Sequence, residues 1–192
     1  MRAELLERYR ALPMPTTKDE SWRFTDLKGF DPDAFASNGH VSGSDPGTML
    51  ALDVAGRATV TSAGIEIEDA PEGIRFEPLD EAHDRLGQLV GTDEKFAAHN
   101  AALWEHGLLV HVPRGVELEK PLYVRVSVPF WRLLVVADEG SRFSLVEEYV
   151  SATEDESYSN AVVELFVEQG AKLEYAVEMN RLIQLQMEGS VG

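Results

Sequence analysis

A chain of 192 residues, 44% of them hydrophobic, carries enough apolar material for one ordinary domain or two small ones. Its 34 acidic against 17 basic side chains give a formal charge of -17, which repels phosphate backbones and anionic lipid surfaces and argues against nucleic-acid or membrane partners. Cysteine is absent, which excludes disulfides, a thiolate nucleophile and thiolate ligation of zinc or of an iron-sulfur cluster by this chain.

The acidity reads as a solvated surface that maintains solubility. No run of about 18 apolar residues occurs, and the start, Met1-Arg2-Ala3-Glu4, is amphipathic instead of a basic stretch leading into an apolar one, so a cytoplasmic location is expected. In chain order, Leu5, Tyr9 and Leu12 share one face of a helix expected over Glu4 to Leu12, which Pro13 and Pro15 stop. Ser37 to Gly47 has the composition of an exposed loop. Thr48 to Phe76 holds short apolar pieces, Met49 to Leu52, Ala58 to Val60, Ile65 to Ile67 and Ile74 to Phe76, separated by glycines and expected to form small strands. Leu79 to Val90 is weakly helical in composition. A second helix is expected from Asp93 to Glu105, with Thr92 as N-cap, Phe96, Leu103 and Trp104 as its apolar stripe and Gly107 as its stop.

Beyond Gly107 one unit recurs: a buried apolar triplet, two residues, glycine, two residues, then an apolar residue opening a new run. Val110-His111-Val112 leads to Gly115 and Leu118, Val135-Val136-Ala137 to Gly140 and Phe143, and Leu165-Phe166-Val167 to Gly170 and Leu173. The glycines recur at spacings of 25 and 30 residues, in the range of stacked structural repeats. The strand after each glycine alternates: Leu122, Val124, Val126 and Val128 are set against Tyr123, Arg125 and Ser127, so one face is expected inside and the other in water. A meandering antiparallel sandwich explains that alternation as well, but not the fixed offset from triplet to glycine to apolar residue. The expected fold is therefore mainly β, a right-handed parallel β-helix in the form of a partial solenoid. It is preceded by an α/β N-terminal region with short helices, dividing the chain into residues 1–106 and 107–192.

Leu12-Pro13-Met14-Pro15 followed by Glu20-Ser21-Trp22-Arg23-Phe24-Thr25-Asp26-Leu27 resembles the start of SufD-like members of the SufB/SufD family. Phe96 to Leu103, then Val112-Pro113-Arg114-Gly115 to Leu122, is similar to that family's entry into its β-helix, and the likeness continues to near Asn180. Leucine is expected where His99 stands, a departure that bears on packing. The resemblance implies a non-enzymatic scaffold subunit of the SufBCD iron-sulfur cluster assembly complex, with SufB-like and SufC-like partners. It further implies that the complex handles a nascent cluster, that SufC binds ATP, and that this chain binds no cofactor alone. Family members run further, through more coils into a C-terminal helical domain, so the chain is expected to be an N-terminal portion and no catalytic, cofactor or metal residue carries over to it. The alternatives are a carbohydrate-binding or enzymatic β-solenoid, or an inactive fragment of the scaffold.

His106 and His111 are five residues apart, which on a strand puts them on opposite faces and makes shared metal coordination unfavourable. His99 precedes His106 by about two helical turns, with a helix end between them. The acids Asp138 and Glu139, Glu147 and Glu148, and Glu154 to Glu156 offer cation ligands or an acid-base pair, but read better as solvated turns and edges. Trp22, Arg23 and Phe24 are the candidate partner contact, because an aromatic pair around arginine is typical of interface anchors; the competing expectation is that Trp22 and Phe24 pin the N-terminal segment to the solenoid. An open strand edge over Leu173 to Met187, with Ile183, Leu185 and Met187 alternating with polar residues, predicts a homo-oligomer.

Overall fold

The computed structural model describes residues 2–36, 50–150 and 158–179. The expected loop 37–47, the acids Glu154 to Glu156 and the strand over Ile183, Leu185 and Met187 lie outside the described residues.

Helix α1 (Arg2–Ala11) ends where the ammonium group of Lys95 donates to the Tyr9 and Leu12 carbonyls at 2.8 and 3.0 Å, just before Pro13. A single 3-10 turn covers Glu20–Trp22, and a short helix α2 covers Asp33–Ala36. Helix α3 (Lys95–Leu103) is shorter at both ends than the sequence suggests. Thr92 is not its cap: Glu94 takes that position with no side-chain cap bond, while the Thr92 carbonyl accepts from Arg8 Nε at 2.6 Å. Gly107 does not stop the helix either, and lies within a strand. A Cβ there would meet the Arg132 carbonyl oxygen at 2.9 Å, so close strand packing is what requires glycine. Residues 79–90 form turns without a helix, and Leu50 to Leu52 join no strand.

Nine strands make two sheets: β1 (Gly56–Thr61), β2 (Gly64–Glu68), β3 (Arg75–Pro78), β4 (His106–Val112), β5 (Leu122–Val126), β6 (Phe130–Ala137), β7 (Arg142–Tyr149), β8 (Asn160–Val167) and β9 (Lys172–Met179). One sheet has the order β2-β1-β5-β7-β9 and the other β3-β4-β6-β8. From β4 onward successive strands alternate between the sheets, and each pairs in parallel with the strand two later. The two antiparallel pairs, β1 with β2 and β3 with β4, lie at one edge of each sheet. Since β1 pairs with β5 and β3 with β4, strands on both sides of residue 106 share the same sheets.

The recurring unit stacks in register. Val110 faces Val135 and Val135 faces Leu165, while Val112 faces Ala137 and Ala137 faces Val167. The glycines after these strands superpose as corners: Gly115, Gly140 and Gly170 have φ of 70°, 71° and 71°, a region costly for any residue with a Cβ. The Gly115 amide donates to the Glu139 carbonyl and the Gly140 amide to that of Gln169, both at 3.1 Å, so hydrogen bonding continues around the turn.

Between the sheets lies the main core, with Leu108, Val110, Val124, Trp131, Leu133, Phe143 and Leu145 at its centre. The outer face of β4-β6-β8 carries a smaller apolar cluster, including Leu79, Trp104, Leu109 and Leu134, roofed by α3 and the turns before it. Tyr123 and Arg125, expected to face water, are buried. Arg57 lies over the Tyr123 ring at 4.8 Å, Tyr123 donates to the Glu148 carboxylate, and Glu148 sits opposite Arg125 in register. The outer face of β5-β7 is thus a paired polar layer, which removes these side chains from solvent without leaving a charge alone.

Candidate functional site

Strand parity places Phe143, Leu145 and Glu147 on the inward face of β7, so a carboxylate enters the apolar space between the sheets. In register Glu147 lies between Val124 of β5 and Val177 of β9. It is fully buried, and three donors converge on it: Trp131 Nε1 at 2.5 Å and the hydroxyls of Tyr149 and Tyr175. Burial raises its pKa above the ordinary 4.5, while the hydrogen bonds from Tyr149, Tyr175 and Trp131 oppose that rise. Burial likewise raises both tyrosines, and the adjacent carboxylate adds to it. This group is equipped to hold a proton out of contact with bulk water. Among the described residues no three His, Cys, Asp or Glu side chains converge as metal ligands.

Glu147 and Glu148 therefore correct the expectation of solvated acids, since both are fully buried, one inward and one outward. The signal available in the sequence was parity, because Glu147 follows Phe143 and Leu145 at intervals of two. The other acids behave as surface groups: Asp138 meets His111 Nε2 at 2.9 Å, and Glu139 pairs with Arg114. His106 and His111 do not come together.

A second polar cluster, on the outer face of β6-β8, carries no motif in the sequence. The Glu164 carboxylate accepts the backbone amides of Gly87, Leu89 and Val90 at 2.8, 2.9 and 3.2 Å, tying the turns before α3 to the sheet. Asn100 of α3 donates to the carbonyls of Trp131 and Asn160 at 3.0 and 2.8 Å and accepts from Arg132 Nε at 2.8 Å. His99 beside it stacks on Tyr9 with ring centroids 4.0 Å apart and meets Phe130 edge-on. Neither of its ring nitrogens has a hydrogen-bond partner among the described residues, and the Asp33 carboxylate stands 3.9 Å away. Burial lowers its pKa below 6.5.

The candidate contact residues separate. Trp22 stacks obliquely on Phe96 of α3 with centroids 5.0 Å apart, beside Phe30 and Tyr158, so it packs the N-terminal segment against that helix. Phe24 does not: it is 88% exposed, and Arg23, paired with Glu20 at 2.7 Å, lies over its ring at 4.6 Å. Arg23 and Phe24 form a small exposed aromatic-cationic surface.

Residues 124–184, spanning most of β5 through β9, match the family described as SUF system FeS cluster assembly, SufBD core domain. An iron-sulfur cluster assembly SufBD family protein of Staphylococcus epidermidis is 37% identical over 132 residues, covering 60% of this chain and 28% of that protein. A SufBD family protein of Staphylococcus aureus is 32% identical over the same shares. Protein ABCI7, chloroplastic, of Arabidopsis thaliana is 26% identical over 193 residues, covering 85% of this chain and 40% of that protein. The chain spans 28% to 40% of the length of these curated relatives. Among the described residues no helix is long and apolar enough to cross a membrane. The matched core domain and the relatives point the same way: this chain is similar to the SufB/SufD family of iron-sulfur cluster assembly proteins, and its residues 124–184 match that family's core domain.

Proposed function

We propose that the chain is a SufD-like, non-enzymatic scaffold region that works by protein contacts in a SufBCD-type complex in the cytoplasm. Its partners are SufB-like and SufC-like subunits, the nascent cluster is the cargo of the whole complex, and ATP is bound by the SufC-like subunit. The observation that carries the reading is the SufBD core match on strands that pair in parallel and in register. The same pairing supports reading these strands as the opening coils of a parallel β-helix, because each successive strand adds to the alternate sheet one layer further along.

The test is retention of purified SufB-like and SufC-like subunits from the same source on this chain, with and without ATP. Retention of the SufB-like subunit is expected, and retention of neither overturns the reading for this region. Phe24→Ala and Trp22→Ala divide the contact from the packing. Phe24→Ala changes stability by less than about 0.5 kcal/mol, as for an exposed side chain, and weakens retention. Trp22→Ala costs about 2 kcal/mol in denaturant unfolding, as a partly buried aromatic leaving a cavity. Equal retention by the Phe24→Ala variant would remove Arg23 and Phe24 from the interface.

A further inference from the structure

Arg132 projects from the outer face of β6 with its side chain 6% exposed, and most of its hydrogen-bonding capacity is unused. Of the five N–H donors of a guanidinium, the one on Nε reaches an acceptor, Asn100 Oδ1 at 2.8 Å. The nearest carboxylate oxygen, Glu164 Oε2, is 4.0 Å from a terminal nitrogen, beyond hydrogen-bonding distance, and Glu164 is already held by three backbone amides. The terminal N–H groups of Arg132 thus have no acceptor among the described residues. Burial of the side chain pushes the Arg132 pKa down against the opposing charge of Glu164, and the guanidinium lies 5.7 Å over the Trp104 ring.

Arg132 lines a cleft of about 280 Å³ between α1 and the turns preceding α3. Its walls include the side chains of Leu5, Leu86, Val90, Ala101 and Trp104. The charges at its mouth, Arg2 and Glu81, neutralise one another as an ion pair. An apolar chamber with one under-used guanidinium matches a ligand with an apolar body and a single acidic head, since the planar fork of arginine fits a carboxylate through two parallel bonds. A dianionic phosphate fits less well, because Glu164 stands 4.0 Å from the same guanidinium and repels a second negative charge.

We propose that this cleft is a binding site for a small monocarboxylate with an aromatic or branched apolar body, its head on Arg132 and its body against Trp104. The site is independent of the assembly role proposed above.

The experiment is calorimetric titration of the full chain with 3-phenylpropionate, with the neutral 3-phenylpropionamide as comparator, while the Trp104 indole N–H is followed by NMR. Saturable 1:1 binding is expected with Kd below about 1 mM, and at least about tenfold weaker binding of the amide. Arg132→Gln is expected to lose about tenfold or more with circular dichroism unchanged. Val90→Trp fills the cleft, leaves Arg132 in place and is expected to abolish binding, so the test stands even where Arg132→Gln does not fold. No saturable binding by the natural sequence up to about 10 mM overturns the proposal and leaves the guanidinium to water alone. Equal affinity for acid and amide overturns the role of Arg132, and undiminished binding to Val90→Trp overturns the location.

Discussion

The space between the sheets and the outer face of β4-β6-β8 each bury a glutamate, and they do so by opposite means. Glu147, among apolar side chains, is met by two tyrosine hydroxyls and an indole N–H, all on strands of the sheets themselves. Glu164, on the outer face, is met by backbone amides of the turns that cover it. Tyrosine hydroxyls can rotate and either donate or accept, whereas amides fixed in a turn only donate. The inward carboxylate can therefore hold a proton within its own cluster, whereas the outward one is a clasp built from amide donors fixed in the covering turns.

The largest test of this contrast is Glu164→Ala. It strips an acceptor from three amides and the nearest counter-charge from Arg132, and is expected to cost about 3 kcal/mol or more, as when one partner of a buried polar cluster is removed. Urea unfolding gives the loss, and hydrogen exchange at Gly87, Leu89 and Val90 locates it. Unchanged exchange there would mean that the turns are held by packing on Leu79 and Trp104 alone.

Glu147→Gln is milder and depends on pH. The folded-state pKa of Glu147 lies above 4.5, so its contribution to stability is full below that pH and is lost as pH rises through the folded value. The amide variant gives up about 1 kcal/mol of hydrogen bonding in acid and recovers ground against the natural sequence as pH rises. A constant gap between the two unfolding curves from acid to neutral pH would contradict the raised pKa of the inward carboxylate.

The smallest effect sharpens the outer layer. His99→Leu replaces a buried ring lacking hydrogen bonds by the side chain that the family resemblance leads one to expect, and is expected to gain about 1 kcal/mol. Because burial lowers the histidine's pKa, its contribution is present above pH 6.5 and lost as pH falls through the folded value, so the advantage of leucine widens in acid. Loss of stability in this variant would make stacking on Tyr9 the dominant contribution.

The stacked part of the fold was legible because glycine and apolar residues mark it independently of neighbours. Gly115, Gly140 and Gly170 occupy a backbone region that few other residues adopt, and their spacing fixes how the strands align. The N-terminal part was less so. Helix α3 begins late because Thr92 spends its carbonyl on Arg8, a partner 84 positions away that no local propensity contains. The polar sites were hidden for a related reason. Glu147-Glu148 looks like a surface pair until strand parity sends one inward, and nothing in the sequence says that tyrosines at 149 and 175 converge on it. Tyr123 and Arg125 were misread because alternation distinguishes the two faces of a strand but not water from a second buried layer.

The two ends of the paired sheets differ in what they offer a further strand. At one end the outermost strands are short and interrupted by charge, β2 with Glu66 and Glu68 and β3 with Arg75, Glu77 and Pro78, all features that discourage added pairing. At the other, β8 and β9 are each eight residues long and, among the described residues, bonded to a neighbour on one side only. The pairing is consequently directional: each strand from β4 to β7 presents its far edge as the template for the strand two positions later in the chain.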